Sequence, residues 1–240
     1  MVEIIAEIAN AHQGKPKEAI MLAKAGYLSG ADSVKFQVYF ADDFISENHS
    51  RYHHFKNQSF SKKDWKKIIF ETKKLGVKIY CDVLGEDAFK FIEKFNIDGY
   101  KIHSSDVSNL KLIKKISKTN KKLFISTGGV KIPELYKTLQ ILKNYKNEII
   151  FMHGFQSYPT NLEDTQLQRI KILKNEFGNR VSYGYQDHIS GGSPNNIYNC
   201  LIALGFGTEY IEKHITINRK KRGIDYYSSI EPIKFKRFTN

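Results

Sequence analysis

The 240-residue sequence holds only two cysteines, Cys81 and Cys200, far apart in the chain. That excludes a disulfide framework and a cysteine-built metal centre, and leaves reduced thiols as the expectation. No apolar run approaches the roughly 18 residues that cross a bilayer. The first ten residues, MVEIIAEIAN, carry acids where a secretion signal carries bases. A cytoplasmic protein without membrane association is expected. Zinc-finger spacings and basic heptad regions are also missing, so nothing in the pattern supports nucleic-acid recognition. Acids are scarce beside bases, 25 against 38, for a formal charge of +13. The lysines are scattered through helical segments among many Ile and Asn residues, as AT-rich coding produces. The functional alternative is a positive field that raises the local concentration and on-rate of an anionic, phosphorylated substrate.

What the sequence does contain is an alternation. Short β-branched runs, EIIAEIA, DSVKFQVY, VKIYCDV, DGYKIHS, KLFISTGG, EIIFMHG, VSYGYQD and EYIEKHIT, are separated by amphipathic stretches. Helices are predicted around Lys17 to Ser29, Lys63 to Leu75, Glu86 to Phe95, Leu110 to Ser117, Pro133 to Lys143, Leu162 to Phe177 and Pro194 to Leu204. Strand-helix alternation predicts parallel βαβ units. Eight of them predict a (β/α)8 TIM barrel spanning residues 1–240 as a single domain, a size normal for that fold. A last helix, short or cut, begins in EPIKFKRFTN. The segment Phe40 to Ser61 is long, polar and aromatic, and is expected to be a functional lid.

In such barrels the active site lies where the strands end and the βα loops begin. The predicted tips carry Glu7, Asn10 and His12; Lys35 and Gln37; Asp82; Lys101, His103, Ser104 and Ser105; Ser126 and Thr127; His153, Gln156 and Tyr158; Asp187 and His188; and Glu212 and His214. Five of the eight histidines fall in this set. Lys35 and Lys101 stand inside strand-like runs, where lysine is costly to bury unless an anion pairs with it; an outward, solvated lysine is the competing reading. Paired lysines near Ser126 and the STGG turn suit a phosphate and a carboxylate, with turn N–H groups sharing the load. His188 and His214 end adjacent strands, so both imidazoles can meet one divalent ion. Each alone also reads as a hydrogen-bonded loop histidine.

The segments AEIANAHQG, GADSVKFQ, YKIHSSD, LFISTGG, HGFQSYPT, GYQDHISG, IEKHIT and GIDYYSSIEP stand in the order and rough spacing of the sialic acid synthase family, which this chain resembles over nearly its whole length. The resemblance implies a (β/α)8 barrel that condenses phosphoenolpyruvate with an aldose, releasing phosphate and forming a 3-deoxy-2-keto sugar acid, with Mn²⁺ or a similar divalent ion. It implies that Lys35 and Lys101 bind phosphoenolpyruvate with help from Ser104 and Ser126, and that His188 and His214 hold the metal. Glu7 matches the acid near the reacting carbons and, with Lys35 and Lys101, the catalytic set. Gln37, Gln156, Tyr158 and Asp225 match positions that hold the sugar. The small-molecule substrates are the expected partners, and a homodimer is compatible with the resemblance.

Departures from the family pattern fall on the predicted active face. Gln186 stands where the family commonly has Ser, Gln156 where it has Asn, Asp82 lies in CDVLG in place of Ser-Thr-Pro-Phe-Asp, and His103 replaces a small residue. A catalytic barrel without the family's C-terminal antifreeze-like domain is expected. Two long glutamines and an added carboxylate are expected to shift the acceptor away from N-acetylmannosamine toward a differently substituted aldose. Two further readings stand beside the synthase. One is a metal-dependent barrel lyase or hydrolase using His188, His214 and Asp187 without phosphoenolpyruvate. The other is a non-catalytic barrel that binds anions.

Overall fold

Each of the eight short strands alternates its side chains between a barrel interior and an outer layer of helices. The computed structural model describes residues 2–240, in the order β1 (Glu3–Glu7), α1 (Pro16–Leu28), β2 (Ser33–Val38), α2 (Ala41–Phe44), α3 (Tyr52–Gln58), α4 (Lys62–Lys73), β3 (Lys78–Val83), α5 (Glu86–Ile92), β4 (Gly99–Ile102), α6 (Leu110–Ile116), β5 (Lys122–Ser126), α7 (Ile132–Ile141), β6 (Ile149–His153), α8 (Gln168–Phe177), β7 (Ser182–Asp187), α9 (Asn195–Gly205), β8 (Tyr210–His214) and α10 (Pro232–Thr239). The strands form a closed parallel barrel in sequence order, the (β/α)8 fold. Closure between β1 and β8 sets Glu7 opposite His214, and β1 against β2 sets Glu7 opposite Lys35. Residues some 200 positions apart in sequence thereby become neighbours.

The lower interior is an apolar plug of Ile5, Tyr80, Phe124, Ile150, Met152 and Tyr210. Gly184 on β7 makes room for it, since a Cβ there would meet Met152 Sδ at 2.3 Å. Beneath the plug, the Tyr80 hydroxyl donates to Glu3 at 2.5 Å and the Tyr210 hydroxyl to Glu148 at 2.7 Å, so the plug's phenols are satisfied at the barrel's floor. The larger core lies between sheet and helices, where Ala19, Leu22 and Ala23 of α1 and Trp65, Ile68 and Ile69 of α4 pack on outward residues such as Val34, Phe36 and Ile79. With the plug below and helices around it, the barrel interior opens at its C-terminal end.

Three segments differ in detail from the sequence-based expectation. Phe40 to Ser61 carries two short helices, α2 and α3, held by Asp42, whose carboxylate accepts from the Tyr52 hydroxyl at 2.6 Å and pairs with Lys56 at 2.7 Å. The helix expected from Leu162 is broken into a 3₁₀ turn, Leu162–Thr165, and α8, because Gln166 adopts a left-handed conformation with φ 45°. The last helix is formed over eight residues, with Pro232 at its start, Phe235 wholly buried and the Thr239 hydroxyl donating to the Ser29 carbonyl at 2.7 Å. Among the described residues no helix is long and apolar enough to cross a membrane, and both cysteines are free and buried.

Candidate active site

Above the apolar plug the inward positions become charged. Glu7, Lys35, Asp82, Lys101, Gln186 and Glu212, from six different strands, are each no more than 3% exposed. Lys35 Nζ lies 2.6 Å from Glu7, 3.5 Å from Glu212 and 3.6 Å from Asp82, while Lys101 Nζ makes a two-pronged contact with Glu212 at 2.7 and 2.9 Å. Two ammonium groups thus face three carboxylates in a buried space. Burial pushes Glu7 up to about 7, against the opposing pull of Lys35. Burial also works against the charge of Glu212, but Lys101 and Lys35 overcome it and hold this carboxyl well below the usual range. The difference follows from partners: Glu212 has two ammonium groups and Glu7 one. For Lys35 burial is likewise outweighed, by Glu212, Glu7 and Asp82, and its ammonium is strongly favoured. Lys101 is moved the other way, downward, by burial.

A small inner cavity is lined by this cluster together with Gln37, His103, Gln156, Tyr158, His188 and His214. It adjoins an outer cavity of about 400 Å³, which shares Gln37, His103, Gln156, Tyr158 and His214 and adds Asn10, Ser104 and Asp225 with Phe44, Arg51 and Phe55 from the lid segment. Asp225, in the loop between β8 and α10, has φ 61° and accepts the Asn10 backbone N–H at 2.8 Å; the Asn10 side chain accepts from the Tyr39 hydroxyl at 2.9 Å. The loops after β1, β2 and β8 are tied together on that side. A larger cavity, about 610 Å³, opens at the opposite end of the barrel beside α7 and the start of β7, far from the buried charges.

His188 and His214 meet at the inner cavity with ring centroids 5.4 Å apart, and Tyr158 stacks on His188 at 4.3 Å. Burial lowers His188 to about 4 and lowers His214 well below its ordinary value, so both rings are neutral near pH 7. His188 Nδ1 is 2.7 Å from the Phe155 carbonyl, which places its proton there and leaves Nε2 as a lone-pair donor. His214 Nδ1 is buried without a partner. Neutral imidazoles with free lone pairs fit two positions of a divalent ion's shell. Among the described residues no group of three His, Cys, Asp or Glu side chains is gathered to hold a metal, so water or substrate would complete it.

The expected residues are therefore distributed over both cavities: Glu7, Lys35, Lys101 and His188 line the inner one, Ser104 and Asp225 the outer, and Gln37, Gln156, Tyr158 and His214 both. Ser126 differs from its expected place at the anion. Its hydroxyl accepts from Gln186 at 2.9 Å and Gln156 at 3.3 Å, and these glutamines separate it from the cavities. Gln186, expected against the sugar, lies in the inner cavity only. Asp187 and His188 point to opposite sides of β7. The Asp187 carboxylate is turned into the helix layer, where Lys213 and the Tyr185 hydroxyl bind it, which removes it from any metal centre formed with His188 and His214. His12 packs on Phe60 and His153 bonds the Thr165 carbonyl, both away from the cavities. Glu212 was expected at a strand tip beside His214 but was given no role there, although the two-residue period from His214 puts it on the same face. Arg51, Phe44 and Phe55 carried no signal beyond membership of the lid segment.

Residues 21–240 match the model of the NeuB family. An uncharacterised protein of Methanocaldococcus jannaschii is 33% identical over 99% of this chain and 68% of its own length. The N,N'-diacetyllegionaminic acid synthase of Campylobacter jejuni is 29% identical over 97% of this chain and 73% of that enzyme. Among solved structures, the N-acetylneuraminic acid synthetase of Leptospira borgpetersenii superposes with a TM-score of 0.91 at 27% identity, over 99% of this chain and 81% of that one.

Proposed function

The chain belongs to the NeuB family, and on that premise we propose that it condenses phosphoenolpyruvate with an aldose, releasing phosphate and forming a 3-deoxy-2-keto sugar acid. Two of its relatives are named as sugar-acid synthases, and their likeness covers nearly the whole of this chain. The observation that carries the reading is the pair of buried lysines, Lys35 and Lys101, at the C-terminal end of the barrel and beside a cavity of about 400 Å³. Buried ammonium groups with carboxylate partners are matched to a small polyanion that exchanges with those partners.

Lys35 and Lys101 bind the phosphate and carboxylate of phosphoenolpyruvate, and the aldose fills the outer cavity against Gln37, Gln156, Tyr158 and Asp225. Ser104 lines the outer cavity. His188 and His214 would hold a divalent ion, Mn²⁺ in this reading, and when bound it would supply Lewis-acid polarisation to the aldehyde. The methylene carbon of phosphoenolpyruvate forms the new C–C bond to the aldehyde carbon, whose oxygen takes the C=O electron pair and a proton to become a hydroxyl, and positive charge develops at the phosphate-bearing carbon. Glu7 and Glu212 stabilise that charge. With a carboxyl near 7, Glu7 also takes the proton from the water that adds there, after which phosphate departs. The free, buried cysteines suit a reducing cytoplasm. Incubation with Mn²⁺, phosphoenolpyruvate and a panel of aldoses is expected to release phosphate in step with a product of the summed mass. Phosphoenolpyruvate binding with no phosphate release for any aldose would identify an anion-binding barrel instead.

A further inference from the structure

Of the three inner carboxylates, two have close ammonium partners: Glu7 has Lys35 at 2.6 Å and Glu212 has Lys101 at 2.7 Å. Asp82 is left over. It is wholly buried, it lines the inner cavity, both of its oxygens lack a hydrogen-bond partner, and the nearest ammonium, Lys35, stands off at 3.6 Å. A buried carboxylate in that condition costs several kcal/mol unless something arrives to satisfy it. Phosphoenolpyruvate does not, being a trianion that offers acceptors only. The partner of Asp82 must bring hydrogen-bond donors.

His103 defines the other half of this wall. In the ladder Asp82 on β3 sits beside Lys101 on β4, so His103, two residues further along, is its diagonal neighbour, and both line the inner cavity. Burial keeps the His103 ring neutral. Its Nδ1 accepts the Ser105 backbone N–H at 3.4 Å, which leaves the ring proton on Nε2. Two carboxylate acceptors beside an imidazole N–H donor match a hydroxyl group, which both donates and accepts.

We propose that Asp82, with His103, selects an acceptor bearing a free hydroxyl on the carbon next to the aldehyde, in preference to the corresponding acetamido sugar. This rests on the synthase reading: the aldehyde must reach the inner cavity to meet phosphoenolpyruvate, and the first carbon to accompany it there is its neighbour. An acetamido group at that carbon separates its donor from its acceptor, the N–H at the ring carbon and the carbonyl oxygen two bonds further out, so no one atom of it can donate to Asp82 and accept from His103 as a hydroxyl does. A site built to bind a hydroxyl rejects a partner that leaves its buried polar groups unpaired far more strongly than a site of the wrong size alone.

The test compares mannose and N-acetylmannosamine, with phosphoenolpyruvate and Mn²⁺, in the wild type, Asp82→Asn and Asp82→Thr. The wild type is expected to favour mannose in kcat/KM. Both substitutions are expected to lower kcat/KM for mannose by about 100-fold while N-acetylmannosamine changes little. Affinity for phosphoenolpyruvate is expected to rise about 5-fold or more in both, because a like charge leaves the neighbourhood of the anion; a merely structural role for Asp82 would not tighten it. A wild-type preference for N-acetylmannosamine, or equal losses for both sugars, overturns the inference while leaving the synthase reading intact. If neither sugar yields phosphate, the synthase reading fails for them, and the inference is judged by binding: protection of the wild type from thermal unfolding by mannose, lost in Asp82→Asn, supports it, and equal protection overturns it.

Discussion

Glu7 is the residue on which the proposed chemistry turns, and its environment makes two pH-dependent statements. Its carboxyl is raised from an ordinary 4.5 to about 7 by burial, so folding favours the protonated form. That contribution to stability is complete below pH 4.5 and is lost as pH rises through 7. The kcat/KM profile is expected to bend near pH 7, and Glu7→Gln is expected to lose about 100-fold or more in kcat together with that bend; an unchanged profile would assign the bend elsewhere. His12 works in the opposite sense. Burial against Phe60 lowers it from 6.5 to about 4, so its contribution is present above pH 6.5 and is lost as pH falls through 4. For this 1%-exposed ring the loss is about 3 kcal/mol. Denaturant midpoints measured from about pH 7 down to 4 are expected to fall less steeply in His12→Gln than in the wild type. At this scale residue types were legible in the sequence and partners were not. Lys35 and Lys101 could be recognised as odd inside strands, but the three carboxylates around Lys35 come from β1, β3 and β8 and meet only when the barrel closes.

Among the elements, the strands were the most legible. Each β-branched run is short, bounded by turn residues and followed by an amphipathic stretch, and all eight expected strands are present, with ends that agree within about three residues. The lid segment was legible as unusual but not as α2 and α3, whose four and seven residues are too short to show a helical period. Phe44 and Phe55 pack edge to face at 5.0 Å and Arg51 lies over the Phe55 ring at 4.9 Å, so this element forms the outer cavity's apolar wall. Phe55→Ala is expected to raise KM for the acceptor about 10-fold or more while leaving phosphoenolpyruvate affinity within about twofold, since the ring lines only the outer cavity. Equal losses for both substrates would mean that α3 braces the whole site. Helix α10 plays a different part. Truncating its wholly buried Phe235 to Ala is expected to cost about 3 to 5 kcal/mol of stability, read by denaturant unfolding, without abolishing ligand binding at a temperature where the variant is folded.

For the whole molecule, the fold divides labour between its two ends: an apolar plug and a satisfied tyrosine-carboxylate floor below, and unpaired or reluctantly paired charges above. The excess of bases, +13 overall, sits around an inner cluster with more carboxylates than ammonium groups, so the exterior field attracts a polyanion that the interior then discriminates. Raising ionic strength is expected to lower the on-rate for phosphoenolpyruvate more than to raise its off-rate, because exposed charges are screened beyond about 10 Å at 0.1 M salt and buried ones much less. The barrel's existence was legible from eight repeated units; which strand tips converge was set by register and closure. The most direct measurement of the central claim is the rise in melting temperature that phosphoenolpyruvate produces in the wild type, Lys35→Met and Lys101→Met, each compared with its own ligand-free state. Binding of phosphoenolpyruvate by both lysines predicts a clear rise in the wild type and none in either variant. An undiminished rise in both would contradict it and place the anion outside the barrel's charged interior.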